Sequence, residues 1–181
     1  MASSISALSS ANFDNLVTAA LYNADTKQNL TAGNNIVMTG DSDDTIDIIG
    51  NNNMISSGGG NDTVNFTGSN SLFSSGYGND LLRVTGDNNL ISASAGNDVA
   101  ICTGDNNLFE GGSGEDNICF VGNNNTIQGN SGNDLIEFKG LNNIVDSGDG
   151  DDYVIGLEDN YNLTALYDKF LSMYSYQQAY W

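Results

Sequence analysis

The chain has 181 residues, four Lys or Arg against 23 Asp or Glu, and neither His nor Pro. A net charge of −19 argues against nucleic acid, whose phosphates need Lys and Arg, and against anionic membrane surfaces. Without His the commonest general base and transition-metal ligand is missing, so catalytic readings start badly, whereas hard cations suit so acidic a chain.

Residues 1–31 are expected to form an N-terminal cap, and the opening stretch Met1 to Ser10 lacks the basic and apolar regions of a cleaved secretory signal. Within them Phe13, Leu16, Val17, Ala20 and Leu21 recur at helical spacing, which predicts a helical N-terminal cap over Ser10 to Tyr22. From 32 to 157 the chain repeats every 18 residues. Asp returns at Asp44, Asp62, Asp80, Asp98, Asp116, Asp134 and Asp152, and Asn at Asn34, Asn52, Asn70, Asn88, Asn106, Asn124, Asn142 and Asn160. No insertion interrupts the register, so each block must occupy equivalent space. Eighteen residues is too short for helical-pair repeats and suits one coil of a parallel β-solenoid, with two short strands and two tight turns. About seven such coils would stack about 4.8 Å apart.

Alternation places the strands. The second and fourth residues after each Asp are mostly apolar, as in Val64 and Phe66, Leu82 and Val84, or Ile118 and Phe120, and should point inward. In the other half-coil Ile55, Phe73, Ile91, Phe109, Ile127 and Val145 form an apolar column. Its neighbour, Met54, Leu72, Leu90, Leu108, Thr126 and Ile144, is nearly as apolar, and the pattern leaves open which of the two faces in. Cys102 reads as inward and Cys119 as outward, two free thiols without a His to activate them. Residues 158–181 carry Leu163, Leu166, Phe170 and Tyr174 at helical spacing, predicting a second amphipathic helix as a C-terminal cap. No apolar run is long enough to span a bilayer.

Each recurring Asp follows a glycine-rich turn, and the candidate metal-holding glycines are Gly58, Gly60, Gly76, Gly78, Gly96, Gly112, Gly114, Gly132, Gly148 and Gly150. Glycine permits positive φ and close backbone approach, so carbonyl oxygens can converge beside the carboxylate, the hard oxygen donors that Ca²⁺ selects. Without a cation the same stacking sets like charges in a column. Seven stacked Asp turns leave six gaps, room for up to six ions. The Asn column reads as a structural ladder: Asn tolerates left-handed turn geometry, and its amide can donate to the identical residue one coil on.

The segments GGGNDTVNF, GYGNDLLRV and GSGEDNICF resemble the glycine- and aspartate-rich nonapeptides of the RTX (repeats-in-toxin) proteins. The resemblance covers about residues 32–157. It implies an all-β, right-handed parallel β-roll with Ca²⁺ as the bound ion, to which the spacing above adds the short helical caps. The turns beginning at Gly68, Gly86, Gly104, Gly122 and Gly140 read G-x-N-N instead, so one calcium row is expected rather than two. The resemblance further implies secretion by a type I apparatus, with an uncleaved C-terminal signal and an extracellular or cell-surface location.

The roughly 30 residues ahead of the repeats are too few for the enzyme or toxin domain usual in that family, which favours a structural role. On the outward strand face Leu81, Val99, Leu135 and Tyr153, with Ile101, Cys119 and Ile155, suggest contiguous exposed apolar surface and hence self-association. The leading expectation is a non-enzymatic building block that folds on Ca²⁺ and assembles with itself into a filament, surface layer or matrix. Ice binding is an alternative, supported by Asn61, Asn79, Asn97 and Asn133 and by Thr67, Thr85 and Thr103, a column that stops at Val121. A carbohydrate-binding adhesin is another, suited by Asn, Asp and exposed Tyr. For an enzyme the single Arg, Arg83, and the isolated Asp47 and Glu137 offer little.

Overall fold

A computed structural model describes residues 18–19, 27–31, 33–157 and 172. Its strands run, in chain order, β1 Thr18–Ala19, β2 Lys27–Leu30, β3 Ile36–Gly40, β4 Thr45–Ile49, β5 Met54–Gly59, β6 Thr63–Thr67, β7 Leu72–Tyr77 and β8 Leu81–Thr85. They continue with β9 Leu90–Ala95, β10 Val99–Thr103, β11 Leu108–Ser113, β12 Asn117–Val121, β13 Thr126–Ser131, β14 Leu135–Lys139, β15 Ile144–Asp146 and β16 Tyr153–Gly156. Odd strands form one eight-stranded parallel sheet and even strands another. Every residue pairs with its counterpart 18 positions away, as in Leu82 with Ala100 and Ala100 with Ile118. The chain is therefore an all-β parallel solenoid of about seven coils.

The apolar interior lies between the two sheets. From the even strands come Val64 and Phe66, Leu82 and Val84, Ala100 and Cys102, Ile118 and Phe120; from the odd strands come Val37, Ile55, Phe73, Ile91, Phe109 and Ile127. Phe109 meets Phe120 edge to face, with ring centroids 5.9 Å apart. The ambiguity between the two apolar columns is resolved: Ile55 and its counterparts face in, whereas Met54, Leu72, Leu90 and Ile144 remain 48, 42, 40 and 65% exposed. A second inward column on the odd strands is small: Thr39, Ser57, Ser75, Ala93, Gly111 and Gly129. Its hydroxyls run up the roll, Thr39 donating to the Ser57 carbonyl at 2.6 Å, Ser57 to that of Ser75 at 2.9 Å and Ser75 to that of Ala93 at 2.6 Å.

Three expectations change. Thr18 and Ala19, which fall inside the expected N-terminal helix, pair in parallel with Ile36 and Val37, and Lys27–Leu30 pairs with β4, so the sheets begin before residue 32. The rest of that helix lies outside the described residues, as does the C-terminal one apart from Ser172, which is helical. The outward face of the even sheet is not the exposed apolar surface expected. Leu81, Val99, Ile101 and Cys119 form a second buried cluster, with Val121 and Leu157 packed against it. Glu137, read as an isolated surface carboxylate, is buried as well. Of the seven residues expected to form that surface, Tyr153 is exposed and Leu135 and Ile155 are half-buried. Cys102 and Cys119 are free thiols, and both are buried.

Candidate metal centre

The Asp-bearing turns join odd strands to even ones. Their ten candidate glycines all have φ between 93° and 145°, a region closed to most side chains. At Gly76 and Gly78 the coil beneath adds a steric reason, since a Cβ there would overlap the carbonyls of Gly58 and Gly60. Where the first glycine of the turn is replaced, Ser94 and Asn130 hold the same left-handed sense, at φ 78° and 74°. The turn shape thus persists from coil to coil.

Its effect is to fold the Asp side chain into the turn. Asp44, Asp62, Asp80, Asp98, Asp116 and Asp134 are all buried, and Asp152, in the last coil, is half-buried. The main-chain N–H of each donates to the Oδ1 of the Asp one coil on, at 2.8 Å from Asp44 to Asp62 and from Asp62 to Asp80, and at 2.9 Å from Asp134 to Asp152. The opposite edge of the turn is capped in the reverse direction: Asn79 N–H donates to Asn61 Oδ1 and Asn97 N–H to Asn79 Oδ1, each at 2.7 Å.

The second oxygen is the informative one. Oδ2 of Asp62, Asp80, Asp98, Asp116 and Asp134 is buried and accepts no hydrogen bond. An ionised carboxylate so placed is unfavourable without a positive partner. Burial, with the neighbouring carboxylates, pushes Asp98 up to about 9. Burial likewise raises Asp62 and Asp116 to about 7 and Asp80 to about 6, against the main-chain N–H donor that lowers each. Asp134 is raised for the same reason.

The other seam of the roll shows what satisfaction looks like. Nine residues before each Asp lies a buried polar residue, in Asn53, Ser71, Asn89, Asn107 and Asn125, capping the coil before it through its side-chain oxygen; Asn107 N–H, for example, donates to Asn125 Oδ1 at 2.8 Å. Here the second side-chain atom is an NH₂, and Asn89, Asn107 and Asn125 give it to the carbonyls of Gly68, Gly86 and Gly104 at 2.9–3.0 Å. The ladder expected of Asn34, Asn52, Asn70, Asn88, Asn106, Asn124 and Asn142 therefore runs chiefly through the adjacent column. Those seven residues supply the left-handed turn, with φ between 56° and 61°, and Asn160 lies outside the described residues. The signal for the true ladder was the second Asn of the doublets Asn52-Asn53, Asn88-Asn89 and Asn106-Asn107, half a coil from the Asp column.

Asp therefore does what Asn does in the sister seam but leaves one buried oxygen without a donor. A cation in the turn would supply what is missing. Among the described residues no three acidic or thiol side chains gather at one point, so each coil contributes one carboxylate and main-chain carbonyls would complete a shell of oxygen. That donor set fits a hard cation and not a thiophilic one.

Comparison with known proteins agrees. The family model described as RTX calcium-binding nonapeptide repeat (4 copies) matches residues 30–47, 49–71, 74–101, 121–137 and 141–163, more than half of the chain. No curated protein and no solved structure matches it. The repeats, the solenoid and the aspartate turns together make this chain a member of the RTX calcium-binding nonapeptide repeat family, with Ca²⁺ as its ion.

Proposed function

We propose that the protein is a secreted structural element whose roll closes when Ca²⁺ enters the aspartate turns, and which then assembles with itself into an extracellular filament, surface layer or matrix. The observation that carries the calcium step is the file of buried Asp Oδ2 atoms without donors. Until the ion arrives, like charges and desolvation oppose stacking of the coils, so a chain in low calcium stays open and passes more readily through a type I apparatus. Neutralising part of the −19 charge would also lower repulsion between copies.

With the even sheet's outer cluster buried, support for self-association rests on the odd sheet. There Met54, Leu72 and Leu90 stand in register as an exposed apolar stripe, beyond which Leu108 is half-buried and Thr126 separates it from the exposed Ile144. The ice-binding alternative is weakened by the same geometry, because Asn61 and Asn79 already spend their side-chain oxygens on the next coil. Refolded protein followed by circular dichroism and light scattering, as Ca²⁺ is raised from chelated to millimolar, tests the proposal. β-structure and particle size should rise together. β-structure with scattering that stays monomeric removes assembly, and a fold indifferent to Ca²⁺ removes the calcium step.

A further inference from the structure

The aspartate turns differ in what lies beside the orphaned oxygen. In the coils of Asp62 and Asp80 the flanking residues are Ser57 and Ser75, whose hydroxyls lie within hydrogen-bonding influence of the carboxylates although each gives its proton to the carbonyl one coil on. Such a hydroxyl can turn and donate to the carboxylate instead. Ala93 holds this place in the coil of Asp98 and has no donor to offer. In the next two coils the place is glycine. A Cβ at Gly111 would sit 2.5 Å from Asp116 Oδ2, and one at Gly129 would run into Asp134 Oδ2. Neither glycine needs its conformational freedom, since neither has a positive φ. In these two coils the carboxylate oxygen, on residues only 1 and 2% exposed, and a main-chain carbonyl of the next coil close in on the glycine where the serine coils carry a side chain.

Resting on the calcium reading above, we propose that the row is graded: the glycine-flanked turns of Asp116 and Asp134 are the tight calcium positions, and the serine-flanked turns of Asp62 and Asp80 are weaker positions that a side-chain hydroxyl partly satisfies without metal. A hydroxyl beside the carboxylate competes with the ion in two ways. It stabilises the metal-free state, and its Cβ and Oγ occupy room next to the oxygen that the ion must reach. The glycine turns have neither a substitute donor nor an obstruction, so there the gain on binding is largest.

The test transplants one arrangement into the other in the full chain, with CaCl₂ alone as the probe. Gly111→Ser gives the Asp116 turn the side chain of Ser75, and Ser75→Gly opens the Asp80 turn. Native mass spectrometry counts the ions held at each free Ca²⁺ concentration, and circular dichroism gives the midpoint of calcium-induced folding. Gly111→Ser is expected to hold one tight ion fewer and to need about tenfold more Ca²⁺, while Ser75→Gly gains a tight ion. If Gly111→Ser matches the parent in both count and midpoint, or Ser75→Gly binds more weakly, the grading is wrong while the calcium row stands. If the parent itself takes up no Ca²⁺, both fail together. Should Gly111→Ser not fold at any Ca²⁺ concentration, Ser75→Gly decides alone: tighter binding supports the grading, and unchanged or weaker binding overturns it.

Discussion

Asparagine and aspartate are nearly the same size, and this roll sets them to the same task half a coil apart. Both cap a main-chain N–H of the preceding coil through Oδ1, as Asn125 does for Asn107 and Asp116 for Asp98, each at 2.8 Å. They part at the second atom, where the amide donates to a glycine carbonyl and the carboxylate presents an unpaired oxygen. Replacing Asp98 by Asn should therefore stabilise the calcium-free roll, by about 1–3 kcal/mol if the amide finds a partner, since an unpaired buried polar atom costs about that much. Urea unfolding in chelator measures it. A variant less stable than the parent in chelator would mean that the Asp turn offers the amide no acceptor. The same variant should lose calcium at that turn.

At the scale of the strand, two-residue alternation supplies the fold and register supplies the seam. Phe109 on β11 is buried among β-branched and aromatic neighbours and stacks edge to face on Phe120 of β12. Phe109→Ala should cost about 3–5 kcal/mol, because parallel strands pinned on both sides by 18-residue register have little freedom to close the cavity. Unfolding of the calcium-loaded protein in urea is the measurement, and a cost under about 1 kcal/mol would indicate a core that collapses around the gap.

Alternation also explains what could be read in the sequence and what could not. Val64 with Phe66 and Leu82 with Val84 were legible as inward because polar residues separate them, and the Asp column was legible because its spacing never slips. Met54 and Ile55 could not be assigned, being adjacent and both apolar. Leu81, Val99, Ile101 and Cys119 were legible as outward, but alternation does not report whether an outward face is covered, and theirs is buried. The small column at Gly111 and Gly129 gave a weaker signal still, because its residues vary from Thr to Gly and only their nearness to the carboxylates gives them meaning.

For the molecule as a whole, the ordering of these carboxyls predicts how the calcium-free state responds to pH. Their ordinary value is 3.8, while the folded roll holds Asp80 at about 6, Asp62 and Asp116 at about 7 and Asp98 at about 9. The folded state thus binds more protons than the unfolded one across the interval from 3.8 to about 9. The stabilisation is fully present below the unfolded value and is lost as pH rises through the folded ones. In chelator the thermal midpoint should fall steadily from pH 4 to pH 9, and a midpoint that climbs over that range would contradict the burial of these groups. With Ca²⁺ saturating, the direction should reverse, because protons compete with the ion for the same oxygens.

The pairing rule also governs how such a chain can change length. Every strand pairing joins a residue to a partner 18 positions off, and the caps along the Asp column span the same step. Loss or gain of one residue inside a strand would turn every side chain beyond it to the wrong face until the register recovered. Removal or duplication of a whole coil disturbs only the join. Lineages carrying this roll should therefore differ in discrete steps, by the number of coils, while the length of a single coil stays fixed. An insertion that breaks the count should be found only where the strand ladder has already ended.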